Sequence, residues 1–232
     1  MNSTPPAGSS RRTRSDGEQS RSAILEAAAR LATVEGIQGL SIARLADSVG
    51  MSKSGLFAHF GSKEELQLAT VERATSLWDQ LVTDPAVDAA GGLDRLRRLV
   101  DGYLRYVEAD TFPGGCFFAS VLAEVDMQPG PVRERLVGFL GDWMQRLESA
   151  VREAQDDGDL DRAQDAGQLA FEIEAALFLA NAQYVIARSS VPIERARRAI
   201  ERRLDAAAAK TRRSSVSSTG SRRSRRSAMG KS

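Results

Sequence analysis

Apolar residues recur at helical spacing in segment after segment of this chain, and stretches rich in Gly, Pro or Asp separate the segments. The first predicted helix covers 20–35, with Ile24, Leu25, Ala28, Leu31 and Ala32 as its stripe. A short helix follows, in which Ile42, Leu45, Ala46 and Val49 share a face. Gly50 ends it, and a second short helix carries Leu56 and Phe60. One long helix is expected over 62–82, with Leu66, Thr70, Arg73, Leu77 and Leu81 on one side and Trp78 beside them; Asp84-Pro85 stops it. Further helices are expected over 93–108, 116–125, 132–155, 166–188 and 193–209. Their breaks are Pro113-Gly114-Gly115, Pro129-Gly130-Pro131, the turn Asp156-Asp157-Gly158-Asp159, and Pro192. The pattern is all-α.

The 166–188 segment is apolar on two faces. Leu169, Ile173, Ala176, Leu177, Ala180 and Tyr184 form one; Phe171, Ala175, Phe178, Ala182 and Val185 form the other. One face serves the chain's own core, and the second needs a partner. Ala196, Ile200 and Leu204 add a narrower stripe on the last helix. Such a helix pair from each of two subunits makes a four-helix interface, which predicts a homodimer. The alternative is complete burial within a monomer.

The stretch 41–63, SIARLADSVGMSKSGLFAHFGSK, carries the most specific chemistry. Ser41 and Ser52 stand where N-caps belong. Small Ala46 suits two helices crossing near a right angle. An apolar frame with glycine at the turn predicts a helix-turn-helix, whose second helix enters the DNA major groove. Lys53, Ser54, Gly55, Ala58 and His59 occupy that helix away from Leu56, and its face has no acidic residue. Ser62 and Glu65 form a capping box, with Ser62 reaching forward and Glu65 back. Lys63 opposes the macrodipole at that helix start, and a nearby phosphate explains it. Arg44 on the preceding helix is placed to meet phosphate or a base edge.

SIARLADSVGMSKSGLFAHFGSKEEL resembles the DNA-binding signature of the tetracycline-repressor (TetR) family of bacterial regulators, and RSAILEAAARLATVEGIQGLS resembles that family's first helix and connector. PGGCFFASVLAEVDMQPGPVRERL is similar to the regulatory half of one subgroup. The resemblance implies a three-helix N-terminal DNA-binding domain followed by a C-terminal helical bundle for ligand binding and dimerisation. It implies a transcriptional regulator, a repressor released from operator DNA by a small apolar or aromatic effector. The family commonly has tyrosine at the position of Phe57, with its hydroxyl on a phosphate; Phe57 packs but cannot donate. The expected DNA-contacting set is Arg44, Ser52, Lys53, Ser54, Gly55, Phe57, Ala58, His59 and Lys63, placed by their positions on the helix-turn-helix and, for Phe57 and Ala58, by the resemblance. The effector set, drawn from the large side chains beside the glycine breaks, is Trp78, Tyr103, Phe112, Cys116, Phe117, Phe118, Trp143 and Met144. The expected units are a disordered basic arm over 1–18, the DNA-binding domain over 19–64, the effector and dimerisation domain over 65–209, and a disordered basic tail over 210–232.

Charge sharpens this division. Residues 1–63 carry 8 Lys or Arg against 5 Asp or Glu, residues 64–209 carry 16 against 26, and residues 210–232 carry 8 against none. Polyanion binding therefore belongs at the two ends. Arg11, Arg12 and Arg14 can enter a minor groove or simply solvate a leader; the tail can add phosphate contacts or solubility. One cysteine excludes an internal disulfide, and no run of eighteen apolar residues occurs, so a soluble cytoplasmic protein with no membrane partner is expected. No cofactor and no metal are expected: His59 is the one histidine, and there is no metal cluster, phosphate loop or Ser-His-Asp set, so no enzyme is indicated. The competing reading is an effector-independent helical DNA-binding or partner-binding protein, which predicts a solid core where the leading reading predicts a cavity.

Overall fold

The computed structural model describes residues 9–125 and 129–209. Among them, nine α-helices form and no strand: α1 Ser9–Glu35, α2 Ile42–Val49, α3 Lys53–Phe60, α4 Lys63–Trp78, α5 Gly92–Glu108, α6 Phe117–Val125, α7 Pro131–Asp156, α8 Ala166–Ala187 and α9 Val191–Ala207. Residues 1–8 of the expected arm and the tail over 210–232 lie outside the described residues.

Three boundaries differ from the sequence reading. Helix α1 begins at Ser9, so the part of the arm carrying Arg11, Arg12 and Arg14 is helical. Once the packed turns after Ser20 provide a nucleus, each added residue contributes a hydrogen bond without needing an apolar face. The long helix over 62–82 is not uniform. Helix α4 ends at Trp78, a π-helical turn spans Asp79–Thr83, and a 3₁₀ turn spans Asp84–Ala86. Its buried side runs through Leu66, Thr70, Ala74, Trp78 and Val82, while Leu81 is exposed and Arg73 pairs with Glu26. Gly102 of α5 lies under the π turn, where a Cβ would sit 3.0 Å from the Val82 Cα. Pro192 lies inside the first turn of α9 rather than between the helices; there its missing N–H costs nothing.

Two apolar clusters result. The smaller holds Ile24, Ala28, Leu40, Leu45, Ala46, Leu56, Phe60 and Leu66. The larger contains the other helices and begins at Ala29, Ala32 and Ile37 on one side and Val71, Ala74 and Trp78 on the other. Helices α1 and α4 thus each enter both clusters; α1 does not merely complete the N-terminal unit. Polar bonds fasten the same junction. Gln67 donates from Nε2 to the Ile37 carbonyl at 2.7 Å, buried, and Arg30 donates to the Thr111 carbonyl at 3.0 Å. Gly114 is required here: a Cβ would lie 2.1 Å from the Thr33 carbonyl oxygen of α1.

Helix α8 is long and apolar enough to cross a membrane by length and composition, with a mean hydropathy of 1.3 in its most apolar window. Its two apolar faces explain that composition. Leu169, Ile173, Leu177, Ala180 and Tyr184 are buried against α5, α7 and α9, while Phe171, Phe178, Leu179 and Ile186 are exposed.

Candidate nucleic-acid interface and ligand cavity

The N-terminal unit is shaped by its caps. The Ser41 hydroxyl accepts from the Arg44 N–H at 3.3 Å, and Ser52 from the Gly55 N–H at 3.1 Å. Gly50 takes φ 67°, the left-handed conformation that lets α2 turn directly into α3. Leu56 and Phe60 pin α3 to the small cluster, and Arg21 of α1 donates to the His59 carbonyl at 2.9 Å with its guanidinium 4.5 Å from the Phe60 ring centroid. Truncating fully buried Leu56 to alanine costs about 2–5 kcal/mol and removes the anchor of α3.

This anchoring leaves Ser52, Lys53, Ser54, Phe57 and Ala58 exposed together, with Gly55 and His59 half-buried beside them. Phe57 is 54% exposed, unusual for an aromatic side chain without a covering partner. Lys53 has no ion pair among the described residues. Arg44 and Lys63 are engaged instead. Arg44 pairs with Glu35, and Lys63 donates from Nζ to the Gln38 carbonyl at 2.6 Å. Both bonds join the α1–α2 connection, so either side chain must exchange a partner to reach a phosphate. The capping box is half formed. Ser62 accepts from the Glu65 N–H at 3.1 Å, but the Ser62 N–H donates to the Phe60 carbonyl, and the Glu65 carboxylate lies over Gly61.

A cavity of about 350 Å³ lies in the C-terminal bundle, lined by Trp78, Tyr103, Cys116, Phe118, Ala119, Leu122, Phe139, Leu140, Trp143, Phe171, Glu174, Ala175 and Phe178. Of the expected effector set, Trp78, Tyr103, Cys116, Phe118 and Trp143 are on its wall. Phe112, Phe117 and Met144 are not. Phe112 and Phe117 face each other and Tyr106 in solid core, and Met144 is partly buried against that core. Helical periodicity marks a residue as inward-facing but does not separate cavity wall from filled interior. Trp78 is the hub: Tyr103, Tyr106, Phe118, Phe139 and Trp143 meet it edge-on at 5.0–5.9 Å between centroids.

The dimer set divides as well. Phe171 and Phe178 are exposed at 62% and 50%, and both reach the cavity mouth. Ala182 and Val185 are half-buried. Ala196, Ile200 and Leu204, expected at an interface, are buried within the protomer against α8 and α5. The stripe of α9 is narrow because it serves only its own core.

Sequence reasoning missed Glu174. Its Oε2 accepts the Trp143 Nε1–H at 2.7 Å. Burial pushes its carboxyl up to about 7, and the indole bond offsets part of that rise. Burial likewise pushes the Cys116 thiol up to about 12, despite its place at the start of α6. The N-terminus of α6 is capped from α8, where buried Asn181 accepts the Cys116 N–H at 2.8 Å. A second, larger recess of about 610 Å³ lies between the π turn, α5 and α7; it is open and lined by Arg95, Asp142, Gln145 and Arg146 among others. Among the described residues, no group of three or more His, Cys, Asp or Glu is placed to hold a metal ion.

Comparison with known proteins accounts for both halves. Residues 24–70 match the family described as bacterial regulatory proteins, tetR family, and residues 92–200 match the tetracyclin repressor-like C-terminal domain. The HTH-type transcriptional activator FasR of Mycolicibacterium smegmatis is 31% identical over 107 residues, 46% of this chain and 49% of FasR. The match therefore spans about half the length of that relative. A TetR transcriptional regulator from Chloroflexus aurantiacus superposes with a TM-score of 0.76 at 24% identity, covering 83% of this chain and 98% of the other. AibR, crystallised in complex with isovaleryl coenzyme A and operator DNA, superposes with a TM-score of 0.59 at 27% identity over 69% of this chain and 85% of AibR. With its N-terminal unit and its C-terminal bundle each matched by a profile of that family, and the whole fold shared with its regulators, the chain belongs to the tetR family of bacterial regulatory proteins and is a DNA-binding transcriptional regulator.

Proposed function

We propose that this regulator is a homodimeric repressor whose grip on operator DNA is loosened by a small apolar or aromatic effector bound in the Trp78 cavity. The observation that carries the reading is the cavity's wall. Trp78 closes α4, whose first turn adjoins the reading helix α3, and at about 1.5 Å per residue the two ends are roughly 24 Å apart. Helix α6 supplies a second route. Phe118, Ala119 and Leu122 line the cavity, while Glu124 meets the α1–α2 connection, its carboxylate packed over Gly36 and accepting the Gln38 N–H at 3.4 Å. An effector that shifts α4 or α6 changes the spacing of two reading heads in a dimer. Half-sites about 34–36 Å apart hold both heads only at one spacing. AibR, captured with an acyl thioester and operator DNA together, supports a fold that accommodates both.

The DNA face proposed is Ser52, Lys53, Ser54, Gly55, Phe57, Ala58 and His59, with Arg44 and Lys63 recruited from their present partners. Phe57, unable to donate, offers its ring to a sugar or a thymine methyl. The dimer face proposed is α8 through Phe171, Ala175, Phe178, Ala182 and Val185, extended by exposed Leu179 and Ile186. As a regulator of DNA it works in the cytoplasm. The effector-independent reading requires a solid bundle core, and the cavity weighs against it. The test is operator selection from genomic fragments, followed by titration of the complex with apolar and aromatic compounds. A complex that no compound dissociates counts against the effector reading and leaves DNA binding intact.

A further inference from the structure

Among the described residues, Glu174 is the one carboxyl on the cavity wall, and no lysine, arginine or histidine lines it. The groups that face it are neutral at ordinary pH: Tyr103 from α5, Cys116 before α6 and Trp143 from α7. Glu174 is half-buried, and holding a carboxyl partly out of water without a cation is costly. The Trp143 N–H orients it, leaving the other oxygen for a further partner. Aromatic faces surround the same space, and ring faces attract cations in desolvated sites. An anionic ligand group would meet a carboxyl, ring faces and no counter-charge.

We infer that the cavity takes an organic cation, an apolar or aromatic molecule bearing one amine or quaternary ammonium group, with Glu174 as its counter-ion. The inference rests on the cavity being the effector site. At about 350 Å³ the space suits a small ligand, near the lower end of the roughly 300–1,000 Å³ usual for such sites. Binding of a permanent cation displaces the proton from Glu174, so affinity rises with pH until the carboxyl is ionised in the free protein. The window is set by its value of about 7.

The test uses the full chain and its own fluorescence, since both tryptophans, Trp78 and Trp143, are on the wall. Three probes share one phenylbutyl skeleton and end in trimethylammonium, tert-butyl or carboxylate. Above neutral pH the cation should bind at least roughly tenfold more tightly than the neutral isostere, a difference of about 1.4 kcal/mol, and the carboxylate should bind least. The cation's affinity should fall on acidification while the isostere's stays level. Glu174→Gln keeps an acceptor for the indole; it should bind the isostere as wild type does, and lose both the preference for the cation and its pH dependence. An isostere or carboxylate that binds as tightly as the cation, or a Glu174→Gln protein that keeps the preference, overturns the inference while leaving the effector cavity standing. If all three probes fail to bind wild type, the cavity reading falls with it. The pH profile of wild type decides the matter even should Glu174→Gln not fold.

Discussion

Trp143 and Glu174 are joined across the cavity wall by a 2.7 Å hydrogen bond from the indole Nε1–H to Oε2. The bond holds a carboxyl against a surface that is otherwise nearly all apolar. It also links α7 to α8, on the side of α8 that carries the exposed Phe171 and Phe178.

That carboxyl has a consequence for stability. Its folded value, about 7 against 4.5 for the ordinary group, means the native state holds a proton that the unfolded chain releases. Stability therefore falls as pH rises through that window, by on the order of 3 kcal/mol in full. Glu174→Gln removes the penalty. Thermal or urea unfolding should find the variant more stable than wild type above neutral pH, with the difference closing toward the low end of the window. A gap that widens on acidification would have the wrong sign.

Lys53 and Lys63 should separate in DNA binding by how free they are. Each, replaced by alanine, should lower affinity for all sequences and flatten the salt dependence by about one unit of slope. Lys63→Ala also removes the bond to the Gln38 carbonyl, so it should additionally loosen the α1–α2 connection, seen as faster amide exchange there. Lys53→Ala should leave exchange unchanged. An unaltered slope in either variant removes that lysine from the phosphate set.

Phe178→Asp should yield monomers with little operator affinity, because it charges the exposed face of α8 without touching the protomer's core. Ile200→Asp should unfold the protein instead, since that side chain is 3% exposed. Sedimentation and circular dichroism together distinguish the two outcomes. A folded dimer carrying Phe178→Asp places the interface elsewhere.

Coupling is best probed on α6 rather than at Trp78. Trp78→Ala strips a hub of five edge-on rings and should cost about 3–5 kcal/mol, which confounds its effector response. Glu124→Gln weakens the contact with Gly36 and Gln38 at the surface. It should keep effector affinity and free-operator affinity near wild type while reducing the coupling between them, measured reciprocally by titrating effector into free and DNA-bound protein. Undiminished coupling would leave α4 as the lever.

Cys116 should be inert. The buried thiol, pushed up to about 12, holds almost no thiolate at neutral pH. Native protein should react with a thiol reagent far more slowly than the unfolded chain, and peroxide should leave the operator complex intact. Dissociation in wild type but not in Cys116→Ser would reverse this.

The N-terminal unit was legible in the residues because its determinants are local. Ser41, Ser52 and Ser62 cap the turns that follow them, Gly50 supplies the positive φ at the junction, and Leu45 and Ala46 on α2 and Leu56 and Phe60 on α3 form inward-facing pairs that meet in one cluster. The order of the helices followed from the same short-range periodicity, and so did the two apolar faces of α8, but the start of α1 at Ser9 and the π turn after Trp78 did not. What periodicity cannot say is what lies opposite an inward-facing residue. Whether Phe117 meets solid core and Phe118 a cavity, whether Ile200 is covered by α8 or left for another subunit, and whether Arg44 is free or held by Glu35 depend on elements far apart in the chain. Glu174 is the sharpest case. In the sequence it is an ordinary glutamate on a helix, and only the convergence of α5, α6, α7 and α8 takes it partly out of water and gives it Trp143 for a neighbour. Capping and turn energies act within a few bonds and can be read in order; desolvation and cavity shape are properties of the packed whole, and arise only when distant helices meet.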